Sequence, residues 1–511
     1  MTGGISRRTL MKGLGATALG GALAACGSKS SSSSNGSEIS IMAPVLTTQA
    51  PTGDGQLQKA IEKFTGKKLN ITWVPNSDYG DRTNVTLASN NIPELMVIQG
   101  KTPEFVREAQ AGAFWELTDK LSKYPNLVAK DPAIQQNSSI NGKVFGVFRL
   151  RDPMRTSTMV RKDWLEKLGM SLPKTTDDLY QLAKAFKTEN PNGDGKKDTY
   201  GLIIPKWPAG YGTASPYDVM EVWYGAPNGW GERNGKLVPG FDTEEFLAAN
   251  TFMRKMASEG LINADFATMD SAKWNQPFFN GQGGIIIDVM SRAFVLLDLF
   301  QKDHPKTYTN YVDFTGNLTG PNGKHSYPTI GYAGFVAVSK QSVPNESGLA
   351  DMLSFLDKMS SKQGQVLENN GIEGVNFTVD GDYSVPITGQ QADQVTNDAK
   401  SFAQLGTNVN GYLGYTAKPA TPADEALYKK RIAIQDEDMK TAVQNPANAL
   451  VSPTYTTKGA QLDQLIADAR LKYVAGQLDL AGLKSQISAW HSQGGDQIIS
   501  EMNDLYSKLH K

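Results

Sequence analysis

The segment of residues 38–100 alternates between strand and helix patterns, and this alternation constrains the fold more than any other feature of the chain. Apolar residues recur at every second position in residues 39–43, at helical spacing in residues 57–64, and again at every second position in residues 69–73. A polar helix pattern and the short apolar run of residues 93–98 follow. The order β-α-β-α-β predicts an α/β lobe with a largely parallel sheet.

The remainder of the chain predicts a second lobe, because 511 residues are many for a single core. Residues 142–160 are extended, charged and aromatic, as in a crossing between lobes. Apolar residues at helical spacing follow Thr175 and Thr243, each beside acidic residues that favour a helix N-terminus. A strand predicted at residues 330–339 is expected to re-enter the first lobe. Residues from Pro422 onward are predicted to be mainly helical.

The chain begins with a basic head, a short apolar run and its single cysteine. Arg7, Arg8 and Lys12 precede or flank the apolar residues 13–25, and Cys26 comes next. The apolar run is shorter than the about 20 residues that span a bilayer. This order is typical of an export signal. The letters LAAC at its end resemble a bacterial lipobox, in which the cysteine thiol receives lipid.

We therefore predict a signal peptide over residues 1–25 and, over residues 26–37, a lipidated Cys26 with a flexible Gly/Ser tether. The alternative is an N-terminal helix with an incidental cysteine. The letters SRRTLMK also resemble a twin-arginine export motif, with general secretion as the alternative. The predicted location is the outer face of the cell membrane, where acyl chains hold the folded body.

Composition excludes several other classes of protein. The formal net charge is −1, so no basic field for nucleic acid is present. With Cys26 as the sole cysteine, the folded body has no disulfide and no thiolate metal site. The chain carries no GxSxG or Walker motif. No pair at zinc-ligand spacing is formed by the scattered histidines, which are His304, His325, His491 and His510.

Residues 190–198, with the sequence NPNGDGKKD, match the first part of a calcium loop. Oxygen-bearing side chains occupy loop positions 1, 3, 5 and 9, glycine occupies position 6, and position 7 offers its backbone carbonyl. The predicted ligands are Asn190, Asn192, Asp194, Lys196 and Asp198. The bidentate glutamate of position 12 is replaced by Gly201, so the prediction is a structural site rather than a sensor. The alternative is an Asn/Gly-rich turn without metal.

Aromatic residues cluster in a stretch that is otherwise rich in glycine and proline. They are Trp207, Trp223, Tyr224 and Trp230. Because loops favour small polar residues, we interpret these rings as platforms on which the face of a sugar ring stacks. The alternative is that they fill the core of the second lobe.

Charged residues mark the predicted crossing between lobes. Arg149, Arg151, Asp152 and Arg155 lie there, and the first three are predicted to bind a polyhydroxyl or acidic ligand. The alternative is a set of surface salt bridges.

Five stretches together resemble a known family. They are VRKDWLEKLG at residues 160–169, NPNGDGKKDTYG at 190–201, EGLI at 259–262, GIEGV at 371–375 and SPTY at 452–455. The chain resembles the extracellular solute-binding lipoproteins of bacterial ABC importers, in the long carbohydrate-binding subgroup that includes alginate-oligosaccharide-binding proteins. The resemblance extends over the whole chain after the signal.

The resemblance implies an α/β, two-lobed, periplasmic-binding-protein-like fold with a hinge and an interlobe ligand cleft. We expect lobe 1 to comprise residues 38–150 and about 330–385, and lobe 2 to comprise about 151–329 and about 386–511. The resemblance also implies calcium at the five ligands named above. Family members often carry an acidic residue at the position of Thr199, so the departure here weakens that expectation.

The expected function is that of a membrane-anchored receptor, which captures a carbohydrate between two closing lobes and delivers it to ABC transporter permease subunits. The carbohydrate is expected to be an oligosaccharide. The receptor is expected to be a monomer, to be no enzyme and to bind no nucleic acid. The alternatives are an exported, lipid-anchored carbohydrate-active enzyme, which would need two carboxylates about 5 to 10 Å apart, and a surface adhesin.

Overall fold

The structure is a computed structural model that describes residues 38–45, 47, 49–89, 91–196, 198–207 and 212–509. The predicted signal peptide, Cys26 and the tether lie outside the described residues. The export and lipidation predictions therefore stay predictions.

Strands and helices alternate along most of the chain. The strands are β1 (Glu38–Val45), β2 (Lys68–Pro75), β3 (Leu95–Ile98), β4 (Val147–Leu150), β5 (Thr156–Arg161), β6 (Tyr200–Leu202), β7 (Trp230–Arg233), β8 (Lys236–Pro239), β9 (Gly283–Val289), β10 (Val312–Thr315), β11 (Thr319–Gly320), β12 (Gly323–Lys324), β13 (Tyr332–Val338), β14 (Phe377–Asp380), β15 (Tyr383–Pro386) and β16 (Thr416–Ala417). The helices are α1 (Gln56–Thr65), α2 (Tyr79–Ala88), α3 (Pro103–Gln110), α4 (Pro132–Ser138), α5 (Lys162–Leu168), α6 (Thr176–Thr188), α7 (Pro216–Trp223), α8 (Glu244–Ser258), α9 (Asn275–Phe279), α10 (Ser291–Asp303), α11 (Glu346–Met359), α12 (Lys362–Asn369), α13 (Gln390–Phe402), α14 (Pro422–Met439), α15 (Pro453–Val474), α16 (Leu480–Trp490) and α17 (Asp496–Leu509). Single 3-10 turns occur at Leu121–Lys123, Pro125–Leu127, Gly240–Asp242, Ser271–Lys273 and Tyr308–Asn310, and a π turn occurs at His491–Gly495.

Lobe 1 is built on a five-stranded sheet with the order β2-β1-β3-β13-β4. Strands β1, β2 and β3 are parallel, as the β-α-β-α-β pattern predicts. Strand β13 runs antiparallel to both β3 and β4, so the sheet is mixed rather than largely parallel. The predicted return of residues 330–339 to the first lobe is confirmed. Helix α1 ends at Gly66, which takes the left-handed conformation typical of a helix C-terminus.

Lobe 2 is built on a four-stranded sheet with the order β10-β5-β9-β6. Its helices begin where the sequence predicts. The Thr175 side chain accepts from the backbone N–H of Asp178 at the start of α6, and the Thr243 side chain caps α8. One face of the sheet packs on α6, α7 and α8, and the other packs on α9 and α10. The sheet is therefore buried on both sides.

The chain from Pro422 onward is mainly helical, as predicted, and it forms a helical block on lobe 2. Helices α15, α16 and α17 pack on one another and on the β7–β8 hairpin. The apolar spacing of Leu462, Leu465, Ile466 and Ala469 predicts one buried stripe on α15, and all but the partly buried Leu465 are buried. None of the helices in the described part of the chain is long and apolar enough to cross a membrane.

The boundary between lobes differs from the prediction in one segment. Residues from about 386 were expected in lobe 2, but Val395 and Phe402 of α13 and the following Val409 pack into the lobe 1 core. The chain then passes to lobe 2 between Val409 and α14. Helix α13 covers α1 and α12, so its apolar face joins the first core. The helical spacing of apolar residues in α13 predicts a helix, but it does not indicate which of the two cores the apolar face covers.

Gly334 offers a test of how closely strands β3 and β13 of lobe 1 approach each other. It lies in β13 at a φ of +87°, and a Cβ there would lie 2.1 Å from the backbone oxygen of Ile98 in β3. We expect Gly334→Ala to lower the melting temperature strongly, because strain at positive φ adds to overpacking worth about 1–3 kcal/mol. Gly235→Ala is the matched control, since its φ is +74° and nothing lies within 4 Å of the added Cβ. Equal losses in both variants would contradict the close approach of β3 and β13.

Candidate ligand cleft and metal loop

The two sheets end facing each other where the chain crosses between lobes. Strand β4 ends at Leu150 and β13 begins at Tyr332, both on the lobe 1 side. On the lobe 2 side, Thr156 at the start of β5 pairs with Val289 at the end of β9. Residues 151–155 therefore lie between the ends of both sheets. This crossing is the candidate floor of the ligand cleft that the resemblance implies between the lobes.

Charged side chains from lobe 2 gather at this floor. The Arg292 guanidinium donates to Asn275 Oδ1 at 2.7 Å and to the carboxylate of Asp288. The backbone N–H of Met290 donates to the carbonyl of Arg155 at 2.6 Å, which brings Arg155 beside the end of β9. Burial lowers the pKa of Arg155, and the neighbouring Arg151 lowers it further, whereas Asp288 opposes this. Guanidinium donors and a carboxylate acceptor are thus close together.

Trp207 continues this charged group as an aromatic wall, and the buried Trp274 supports it from the core side. The Arg292 guanidinium lies 4.1 Å from the ring centre of Trp274, which is buried and donates to the carbonyl of Ile203 at 3.0 Å. Trp207 packs edge-on against Trp274 with ring centres 5.8 Å apart. Trp207 is half-buried, and its indole N–H donates to Thr213 Oγ1 at 2.9 Å. We name Arg151, Asp152, Arg155, Asp288, Arg292, Trp207 and Trp274 the cleft cluster.

Asp152 and Arg151 occupy the crossing as predicted, but their environments differ. The Asp152 carboxylate accepts from Gln435 Nε2 at 2.5 Å and from the backbone N–H of Met154 at 2.9 Å. Although Asp152 as a whole is exposed, this enclosure of its carboxylate raises its pKa by burial. Arg151 is exposed. Asp152 is held in place by lobe 2, whereas the Arg151 side chain is open to a ligand.

Two of the predicted sugar platforms are core residues, and their interpretation is corrected. Trp223 is 0% exposed, and its indole N–H donates to Asn317 Oδ1 at 2.9 Å. Tyr224 is 9% exposed and packs against Phe252 with ring centres 5.5 Å apart. The reason is that every residue of α7 is buried, so the helix has no solvent face on which a ring could be presented.

Arg149 is corrected as well. Its guanidinium donates to the carbonyl of Ala333 at 3.1 Å and to Gln404 Oε1 at 2.9 Å, and the residue is buried in lobe 1. Burial lowers its pKa to about 10. Arg149 lies within β4, which is largely buried in the lobe 1 sheet, whereas Arg151 follows the last residue of that strand and is exposed. Its role is to join β4 and β13 to the segment after α13.

Trp230, the remaining predicted platform, is half-buried and lines a cavity outside the cleft cluster. The cavity has a volume of about 220 Å³ and is enclosed by the β7–β8 hairpin and the helical block. We name it the C-terminal cavity.

The predicted calcium loop connects α6 to β6, and its first three ligands converge. One side-chain amide atom of Asn190 lies 2.8 Å from Asn192 Oδ1 and 3.1 Å from Asp194 Oδ1. As a nitrogen, this atom donates to both oxygens, and the amide oxygen accepts from the N–H of Gly195 at 2.8 Å. With the amide turned over, three oxygens face one point, which is an arrangement that a hard cation stabilises. The loop therefore fits both a metal site and a hydrogen-bonded turn.

Neighbouring residues make the loop less acidic than a full calcium loop. The Lys167 ammonium donates to the carbonyl of Pro191 at 2.9 Å, and Thr199 is buried with its hydroxyl donating to the carbonyl of Phe186 at 2.6 Å. Thr199 thus secures the end of α6 and faces away from the loop. Lys196 and Asp198 are exposed. Across the described ranges, no three residues among His, Cys, Asp and Glu are placed to hold a metal.

The sequence-based reasoning missed Trp274, Asp288 and Arg292. The last two directly follow the buried run of β9 in the letters GGIIIDVMSR, and polar residues at the carboxyl end of a strand are a common ligand-site signal. Their spacing of four residues also predicts an ion pair at a helix start. Trp274 had no such signal, because its position depends on how α9 packs.

Two curated relatives cover nearly the whole chain. The chain is 42% identical over 482 residues to Lipoprotein LipO of Bacillus subtilis (strain 168), with 94% of each chain covered. It is 32% identical over 500 residues to the Polygalacturonan/rhamnogalacturonan-binding protein YtcQ of the same organism, with 96% of this chain and 97% of the relative covered.

Solved structures of low sequence identity share the fold. An HMO-binding, ABC-transporter-associated solute-binding protein from Bifidobacterium longum infantis superimposes with a TM-score of 0.70 at 18% identity, covering 92% of this chain and 98% of that one. An EF-hand mutant of the substrate-binding protein FusA from S. pneumoniae gives 0.65 at 16% identity, covering 93% and 99%. Alginate-binding protein AlgQ2 without calcium ion gives 0.64 at 17% identity, covering 92% and 98%.

These proteins are named as lipoproteins or binding proteins rather than as enzymes. The sequence model of the family described as Bacterial extracellular solute-binding protein matches residues 50–366, which is more than half of the chain. The resemblance found in the sequence and the two-lobed α/β fold are both confirmed. The chain belongs to the family of bacterial extracellular solute-binding proteins, and it is a solute-binding protein rather than an enzyme.

Proposed function

We propose that the chain is a lipid-anchored receptor of an ABC importer that captures a carbohydrate in the cleft between its lobes and delivers it to the permease. The observation that carries the proposal is the cleft cluster. It places guanidinium donors, carboxylate acceptors and an aromatic wall at the facing ends of the two sheets. Donors and acceptors suit sugar hydroxyls, and a ring face suits the apolar face of a sugar.

The names of two relatives support a carbohydrate as the solute. One is named for polygalacturonan and rhamnogalacturonan, and a second, 26% identical over 60% of this chain, is named as a fructooligosaccharide substrate-binding protein. The ligand class that we propose is an oligosaccharide. Three guanidinium groups in the cluster, from Arg151, Arg155 and Arg292, would also accommodate an acidic sugar.

We propose that the ligand is captured and released as the lobes move about the crossing of residues 151–155. A ligand that contacts both lobes only when they approach shifts the population toward the closed arrangement. Arg151 stands on the crossing itself, and Asp288 and Arg292 stand on lobe 2, so one ligand would draw them together. We propose that residues 147–153 take part in the hinge.

The anchor is proposed from the N-terminal sequence and from the lipoprotein name of the relative that is 42% identical. A lipidated Cys26 and a tether of Gly and Ser would hold the receptor near its permease on the outer face of the membrane. The twin-arginine route is proposed for export on the SRRTLMK letters alone.

A panel of oligosaccharides tests the function. We expect at least one neutral or acidic oligosaccharide to raise the melting temperature and to reduce the radius of gyration measured by X-ray scattering.

We expect Trp207→Ala to weaken that binding about thirtyfold, because a buried aromatic anchor contributes about 2 kcal/mol. Trp73→Ala is the matched control, since Trp73 is also half-buried with one edge-on contact, to Phe402 at 5.3 Å. Tight binding without compaction would contradict closure, and equal affinities of both variants would contradict the cleft.

Calcium removal tests the metal loop. We propose Asn190, Asn192, Asp194, Lys196 and Asp198 as ligands, and the relative structures named for an EF-hand mutant and for a missing calcium ion support this. Chelation should lower the melting temperature, because a cation at a hundredfold excess over its dissociation constant contributes about 2.7 kcal/mol. Asp194→Ala should abolish this response, whereas Asp382→Ala, an exposed turn residue, should retain it. A response that survives in Asp194→Ala would place the metal elsewhere.

The lipid anchor is tested by Cys26→Ala. Without the thiol no thioether to lipid can form, so the protein should pass from the membrane fraction to the medium. Detergent partitioning of both forms measures this. A Cys26→Ala protein that still partitions with detergent would show that another element holds it at the membrane.

A further inference from the structure

The C-terminal cavity is built like a ligand site, although none of the cleft cluster lines it. Its volume is about 220 Å³, whereas one water needs only ~10–15 Å³. Trp230, Phe241 and Trp490 supply aromatic rings to its lining, and Asn445 and Asp463 supply polar groups. The cavity is therefore roomy, partly apolar and furnished with a few polar atoms, as small-molecule sites are.

Trp490 carries an unpaired donor at this cavity. The residue is 3% exposed, and its indole N–H has no hydrogen-bond partner within the part of the chain that the structure describes. A Cβ added at Gly495 would lie 2.0 Å from Cε3 and 2.1 Å from Cζ3 of Trp490, so that edge of the ring faces the start of α17. Nε1 lies in the five-membered ring, on the other side of the indole from these two atoms. A buried donor without a partner costs about 1–3 kcal/mol, and a bound hydroxyl oxygen would remove this cost.

Asp463 and Asn445 provide the complementary groups. Asp463 accepts from the hydroxyl of Tyr455 at 2.5 Å, and burial raises the pKa of its carboxyl group to about 6. Asn445 Oδ1 accepts from the backbone N–H of Ala447 at 2.9 Å, so the amide nitrogen is the group that Asn445 offers to a ligand. The residues that line the cavity thus carry two N–H donors and one carboxylate acceptor.

The lining selects against an anion. No lysine, arginine or histidine is found among its described lining residues, and Asp463 would repel a second carboxylate. A neutral ring with several hydroxyls satisfies the donors and the acceptor, and its apolar face suits the aromatic rings. This differs from the arginine-rich cleft cluster.

One wall of the cavity is fastened to lobe 1. Asn448 and Leu450 line the cavity, and Lys101 of lobe 1 donates to the carbonyl of Asn448. Asn141 of lobe 1 donates from its backbone N–H to the carbonyl of Ala449 at 2.7 Å and accepts from Val451 at 2.8 Å. A ligand in the cavity would therefore touch a wall held by lobe 1 and helices held by lobe 2.

We propose that the C-terminal cavity binds one neutral, pyranose-sized sugar ring, recognised by Trp490 Nε1, Asn445 Nδ2 and the Asp463 carboxylate between aromatic faces. The site deepens the proposed function and rests on it, because the ring would be a part or a product of the captured carbohydrate.

The test uses the full chain purified from membranes in detergent, with D-glucose, D-galactose, D-mannose and L-rhamnose as neutral probes and D-galacturonate as the anionic one. Calorimetry should detect a neutral monosaccharide that binds at least tenfold more tightly than D-galacturonate. Trp490→Phe keeps an aromatic ring but removes the N–H together with the five-membered ring, so it should weaken this binding at least tenfold, and the melting temperature of the free protein shows whether the variant is folded. Asn445→Asp, which keeps the oxygen that accepts from Ala447, should also weaken it. Trp73→Ala should bind like the parent chain.

The outcomes that contradict the proposal also distinguish binding in the cavity from binding in the cleft. The proposal is overturned if no neutral probe binds, or if Trp490→Phe and Asn445→Asp bind a neutral probe as well as the parent chain does. Loss of monosaccharide binding in Trp207→Ala alone would place the ring in the cleft and also overturn the proposal. In each of these cases, oligosaccharide binding measured on the same preparation decides the proposed function independently.

Discussion

Hydrogen bonds between neighbouring connections hold the two sheets end to end, and the rest of the molecule depends on them. The N–H of Arg151 donates to the carbonyl of Gly331 at 2.9 Å, and the N–H of Thr329 donates to the carbonyl of Pro153 at 2.8 Å. Asn408, at the start of the third connection, accepts from Leu150 at 2.8 Å. Because the connections are short and paired, they limit sliding of the lobes more than bending. The charged residues of the crossing are therefore held beside the end of β9, where Met290 donates to the carbonyl of Arg155.

A buried charge in lobe 2 supports the aromatic wall of the cleft. Arg470 of α15 donates to Asp218 at 2.5 Å and to Glu221 at 3.1 Å, and all three residues are buried. Burial raises the pKa of Glu221 to about 7. Asp218 also accepts from the backbone N–H groups of Thr213 at 3.0 Å and Ser215. Buried ion pairs contribute little net stability, but they fix geometry. Here the pair fixes Thr213, whose hydroxyl holds the Trp207 indole.

The cleft cluster and the C-terminal cavity share a location at the junction of lobes and differ in charge. The cluster contains three arginines, whereas no cation lines the described part of the cavity. Both have aromatic rings and carboxylates, so both suit hydroxyl-bearing rings. Residues 448–451 are hydrogen-bonded to lobe 1, so one wall of the cavity belongs to a segment that joins the lobes.

The sequence alone determined the local elements and the family. The period-two and helical spacing of apolar residues predicted β1 to β3 with their helices, and the capping residue Thr175 predicted the start of α6. Both signals act over a few residues of sequence. Tertiary structure decided which side chains could meet a ligand. Trp223 and Arg149 carry the right chemistry, but a helix buried on all sides and an inward strand position remove them from the cleft. Trp274 reaches Arg292, and Trp490 reaches the C-terminal cavity, only through packing between segments distant in sequence. Burial and unpaired hydrogen-bond donors are properties of the assembled core and not of any local pattern.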